Sequence, residues 1–118
     1  MQAQRRSMVA LLLGAALLAS GIPQVASAQS EVHIGATLAE SGAFASAVGP
    51  FRKFYNAWVD DVNKRGGIHV KAVGKKLPLR VTIYDDKTDQ KTSVKFYEKL
   101  ITDDKAHFLL GPFSSPLT

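Results

Sequence analysis

The sequence predicts an α/β fold built on an open parallel sheet. Short runs of branched and apolar residues recur at Val32–Leu38, Leu79–Tyr84 and His107–Leu110, the composition of buried strands. Two longer segments between them carry apolar residues at helical spacing. Helices alternating with strands imply parallel pairing through right-handed crossovers. The 118-residue chain has no cysteine and is 46% hydrophobic, so a hydrophobic core rather than a disulfide framework has to hold it.

Residues 1–28 read as an export leader. Arg5 and Arg6 make a positive start, Met8 to Ala19 is an apolar stretch, and Ala26-Ser27-Ala28 has the small-x-small pattern of a cleavage site. Cleavage is expected before Gln29. The apolar stretch is too short to span a bilayer, which favours a leader over a membrane anchor. The arginine pair fits both a twin-arginine and a general secretory signal. No cysteine follows, which excludes a lipid-anchored lipoprotein.

Of the 15 Lys and Arg, two lie in this leader, which holds no acid, so 13 basic residues face 10 acidic ones in residues 29–118. The signs are interspersed, and Lys75-Lys76 is the largest basic block. That is a solvated mixed surface, not a nucleic-acid footprint.

Each element has its own signature. In Val32–Leu38, Val32, Ile34 and Ala36 alternate with His33, Gly35 and Thr37. Ala39 to Ala47 is a loop of small residues. Val48 to Lys64 is expected to be a helix, with Phe51, Phe54, Tyr55, Trp58, Val59 and Val62 on one stripe. Pro50 suits its first turn and Gly66-Gly67 stops it. The aromatic stripe reads as core rather than as a cofactor platform. Ile68 to Lys76 fits a small hairpin, and Leu79–Tyr84 is the second core strand. Thr88 or Asp89 caps a second helix that runs to about Asp104, with Val94, Tyr97, Leu100 and Ile101 on its apolar face. His107–Leu110 is the third strand.

Ligands of such sheets sit beyond the C-terminal strand ends, near helix N-termini. Three loops share that edge: Glu40 to Ala47, Asp85-Asp86, and Gly111-Pro112-Phe113-Ser114-Ser115-Pro116. The last offers hydroxyls and backbone N–H groups where a further helix is expected to begin, so the chain reads as the front part of a longer protein. Asp85-Asp86 has the composition of a Mg²⁺ or acid/base pair, but no third acidic ligand accompanies it, and capping of the turn is the preferred reading. The three histidines show no metal spacing. There is no Walker loop, dinucleotide glycine motif or Ser–His–Asp set. No metal and no cofactor are expected.

Four motifs in order carry a family resemblance: Ile34-Gly35-Ala36-Thr37-Leu38 with Ser41-Gly42; Val62-Asn63-Lys64-Arg65-Gly66-Gly67-Ile68; Tyr84-Asp85-Asp86-Lys87-Thr88-Asp89; and Leu110-Gly111-Pro112-Phe113-Ser114-Ser115. Together they resemble the periplasmic binding proteins of the leucine/isoleucine/valine type. The resemblance implies a two-lobed type I periplasmic binding fold, each lobe a Rossmann-like parallel sheet, of which residues 29–118 supply the first βαβαβ part. It implies no enzymatic activity. It implies capture of an amino acid or related small carboxylate or amide between the lobes, for delivery to the inner-membrane permease subunits of an ABC importer, by a monomer in the periplasm.

In that family the serine after the third strand holds the ligand's carboxylate. The matching position is Ser115, with Ser114 beside it; Phe113 and Val48 are the expected walls. Ser114 and Ser115 could equally cap the next helix. A ligand sensor feeding a regulator or sensor kinase shares this fold. An exported enzyme using Asp85 and Asp86 is the alternative from another class.

Overall fold

The computed structural model describes residues 29–117; the expected leader, residues 1–28, lies outside them. Strand β1, Val32–Leu38, is followed by a short helix α1, Ala45–Val48, and by α2, Phe51–Lys64. A hairpin of β2, Ile68–Val70, and β3, Lys75–Leu77, leads into β4, Leu79–Asp85. Helix α3, Gln90–Thr102, then connects to β5, Phe108–Leu110, and a 3₁₀ turn at Ser115–Leu117 ends the described chain.

The main sheet has the order β4-β1-β5, all parallel, as the alternation of strands and helices predicts. The β1–β4 seam runs their full length, from Val32 opposite Leu79 to Leu38 opposite Asp85. The β1–β5 seam is shorter, from Ile34 opposite Phe108 to Ala36 opposite Leu110. Because β1 is central and a helix covers each face, all seven of its residues are buried. Its polar positions His33 and Thr37 are therefore interior, although their alternation suits a half-solvated strand equally well.

Residues of even number on β1 face α2. Val32 and Ile34 join Val62, Leu77 and Leu79 in one apolar cluster; Ala36 and Leu38 join Ala39, Val48 and Ile83 in another. Residues of odd number face α3. There Leu100, fully buried, lies over Gly35, where a Cβ would come within 2.8 Å of its Cδ2. The absent side chain at Gly35 is what lets α3 sit this close.

Four expectations need correction. The helix expected from Val48 begins at Phe51, because Pro50 has no N–H to continue the ladder of α1. Residues 45–47, expected in the loop, form α1 together with Val48 instead. The aromatic stripe of α2 is divided: Tyr55 and Val59 are half-buried and Val62 is buried, but Phe54 is 67% and Trp58 41% exposed. On α3, Val94 and Ile101 are exposed, and the buried positions are Ser93 and Leu100. A stripe marks which residues lie on one side of a helix, and the sheet beneath covers only part of that side.

The remaining joints are specific. Asn63, near the end of α2, accepts from Leu79 N at 2.8 Å and donates to Leu79 O at 2.8 Å, acting as a strand partner at the start of β4. Asp89 caps α3, accepting from the backbone N and the hydroxyl of Thr92, both at 2.7 Å. No helix among the described residues is long and apolar enough to cross a membrane.

Candidate functional site

The C-terminal edge of the sheet collects three loops, as expected from its topology. The first two are locked together. Asp85 accepts from the Ser41 hydroxyl at 2.7 Å, from Ser41 N at 3.1 Å and from Lys87 N at 2.9 Å. Burial opposes ionisation of Asp85, but these hydrogen bonds outweigh it and hold the carboxyl below the usual carboxylate range. Thr88 donates its hydroxyl to Ser41 O at 2.9 Å and accepts from Phe44 N at 3.2 Å. Gly42 packs against the same turn with φ +83°; a Cβ there would stand 2.3 Å from Lys87 O. Only glycine meets both conditions.

Beneath this lock lies a buried polar network. Thr37 donates to Asp86 Oδ2 at 2.8 Å and lies 3.3 Å from the Ser93 hydroxyl. Asp86 also accepts from Thr88 N at 3.0 Å. Both aspartates thus hold the turn, which is the preferred reading of this pair. Among the described residues no group of three His, Asp or Glu side chains is placed to hold a metal. On the outer side of the first loop, Glu40 receives two hydrogen bonds from Arg52, at 2.6 and 2.5 Å, and Arg52 reaches Ile83 O at 3.1 Å. The Glu40 carboxylate raises the pKa of the guanidinium, and this fork fixes the start of α2 to the edge.

The third loop follows β5. Tyr97 of α3 donates to Leu110 O at 2.6 Å, fastening the last residue of the strand. Phe113 stands between two rings in edge-to-face geometry, Phe44 at 5.8 Å and Phe51 at 5.9 Å. Leu117 is buried, and its N–H donates to Ser114 O at 3.0 Å, which closes the bend. Ser115 opens the 3₁₀ turn and is exposed.

Of the expected site residues, Phe113, Ser114 and Ser115 therefore lie on one bend at the C-terminal edge, beside the first loop. Val48 is placed differently. It is 0% exposed, inside the cluster of Ala36, Leu38, Ala39 and Ile83, and presents no surface toward the edge. Its part is to support the loop from below. Phe44 carries no periodic signal, yet it ties all three loops together, its N–H donating to Thr88 and its ring meeting Phe113. An aromatic isolated among small residues is the signal that could have found it.

A parallel sheet with a braced, loop-lined C-terminal edge is an architecture for binding small molecules. The family profile of periplasmic binding proteins matches residues 31–118, and the chain belongs to that family. Among solved structures it is similar to the branched-chain amino acid transporter substrate binding protein LivJ of Streptococcus pneumoniae, determined in complex with isoleucine. The identity is 25% and the TM-score 0.63, over 74% of this chain and 23% of that one. The sheet and its helices match part of a lobe of the type I periplasmic binding fold, and the chain spans under a quarter of that relative's length.

Proposed function

We propose that this chain supplies the first part of lobe one of an exported solute-binding protein, residues 29–118, released from a leader at residues 1–28. The protein captures an amino acid, or a related small carboxylate or amide, between two lobes and delivers it to the permease subunits of an ABC importer. It works as a periplasmic monomer and does no chemistry on its ligand. In support of the last point, Asp85 and Asp86 accept hydrogen bonds from their own turn and from Ser41 and Thr37.

The observation that carries this reading is the bend after β5. Phe113 is wedged between Phe44 and Phe51, so the residues that follow it are held at the strand end. There Ser115 remains exposed. A ligand carboxylate set on the bend would accept from the Ser115 hydroxyl and from backbone N–H groups, charge-assisted bonds that need no full opposing charge. Phe113 would wall the pocket, and Ser114 would complete the bend.

Isoleucine, the ligand of the similar protein, is the first probe. Ser115→Ala in the intact protein should weaken its binding by roughly 1–3 kcal/mol, the cost of leaving a buried charged acceptor short of one donor. Calorimetry measures this directly. Unchanged affinity would remove Ser115 from the site.

A further inference from the structure

The opposite, N-terminal edge of the sheet holds a cleft of about 500 Å³ lined by both His33 and His107. Each ring is held in a hydrogen bond that a protonated imidazole cannot make. His107 N–H donates to His33 O at 2.8 Å, and His107 Nδ1 accepts from His33 N–H at 2.9 Å. One residue thus grips the His33 peptide on both sides and extends the short β1–β5 seam beyond Phe108. A backbone N–H can only donate, so Nδ1 of His107 has to carry a lone pair and its proton resides on Nε2.

The same logic holds for His33. Arg80 Nη2 lies 3.0 Å from His33 Nδ1, and a guanidinium has no acceptor, so this nitrogen too is unprotonated. His33 Nε2–H then donates to Thr82 Oγ1 at 2.8 Å. The ring is 1% exposed. Burial first, and then the charge of Arg80, push its pKa below the ordinary histidine value, while Asp104 and Glu31 pull the other way.

The titratable and charged groups around the pair come from every neighbouring segment, and His69 and Lys71 of the hairpin segment line a second cleft with His107. Glu31 precedes β1 and binds Arg80 of β4 at 2.8 Å. Asp104 and Lys105 lie in the turn after α3, with Asp104 paired to Lys99 at 2.9 Å. Arg80 directs three of its five N–H donors to Glu31, Thr82 and His33, so the guanidinium is engaged with the walls of its own cleft. What the cleft offers is a joint that depends on neutral imidazoles.

We propose that this edge is a proton-sensitive latch: protonation of His107 sets its Nδ1–H against the His33 N–H, and the lower end of β5 comes away from β1. His33 adds to the effect in the same direction. Its folded pKa lies below its unfolded value, so the unfolded chain takes up the proton first. The stability it contributes is complete above an unfolded pKa of about 6.5 and declines as pH falls from there toward the lowered folded value. The latch does not depend on which ligand the protein carries.

Amide hydrogen exchange in the intact protein, corrected for intrinsic rates and compared at about pH 7.5 and about pH 5.0, reads the joint directly. Protection of the His33 amide and of Phe108–Leu110 should fall about tenfold at the lower pH, the equivalent of one lost hydrogen bond. In His107→Asn, whose Oδ1 offers a non-titrating acceptor in the place of Nδ1, protection should fall clearly less than in the unmodified protein, the remaining fall being the share of His33. An equal fall in the variant, or no fall in the unmodified protein, would overturn the latch. Nitrogen chemical shifts of the unmodified protein give a second check that needs no variant: a His107 ring protonated at Nδ1 at the higher pH contradicts the proposal.

Discussion

On the α2 side of β1, Val32, Ile34, Ala36 and Leu38 meet Val48, Val62, Leu77, Leu79 and Ile83 in two apolar clusters. On the α3 side, His33, Gly35 and Thr37 meet Arg80, Thr82, Leu100, Asp86 and Ser93 through one close fit and several hydrogen bonds. The first face gains from area: many apolar groups contribute a little each, and swaps of similar volume are tolerated. The second face depends on particular partners. Among the described residues Leu100 is its one fully buried large apolar side chain, and the polar groups around it are hydrogen-bonded to one another.

The largest expected effect tests that contrast. Leu100→Ala should destabilise the intact protein by about 2–5 kcal/mol, because it opens a cavity over Gly35 that no neighbour on a polar face can fill. Chemical denaturation measures it. A cost near that of an exposed apolar residue would mean that α3 is held elsewhere. A smaller loss is expected for Thr37→Val, which keeps shape and removes one hydroxyl. Asp86, 0% exposed, would keep Thr88 N and lose its partner on Oδ2. Leaving such an acceptor short costs about 1–3 kcal/mol, and an unchanged denaturation midpoint would show that water replaces the hydroxyl.

The same contrast governs what could be read from residue order alone. The bounds of β1 and the parallel alternation follow from short apolar runs separated by helical spacing, and the structure matches them. The α2 face is legible because area-driven packing leaves a periodic mark: Tyr55, Val59 and Val62 are the part of the stripe that meets the sheet. The α3 face leaves no such mark. Val94 and Ile101 satisfy the spacing and are exposed, while Ser93 is buried because Thr37 supplies a partner 56 residues away. His33 looks like a solvent-facing strand position until the order β4-β1-β5 makes β1 central. At the candidate site, the bend of Phe113, Ser114 and Ser115 is found from its place after an apolar strand. The burial of Val48 is not, since it depends on the break at Pro50 that turns residues 45–48 into a separate helix.

Ser93→Ala is the smallest change that still separates the two faces. The Ser93 hydroxyl lies 3.3 Å from Thr37 Oγ1, at the long end of hydrogen-bond geometry. Thr37 keeps its donation to Asp86 Oδ2 at 2.8 Å without it. Removing the hydroxyl forfeits about 0.5–1.5 kcal/mol for one neutral bond, and alanine returns up to about 0.5 kcal/mol through its higher helix propensity in α3. The net loss should therefore be under ~1 kcal/mol, with the Thr37→Val loss clearly larger. If Ser93→Ala costs as much as Thr37→Val in paired denaturation curves, the network acts as one unit and Thr37 is not its centre. A double variant then decides the matter: losses that add point to independent bonds, and a combined loss no greater than either single one points to a shared one.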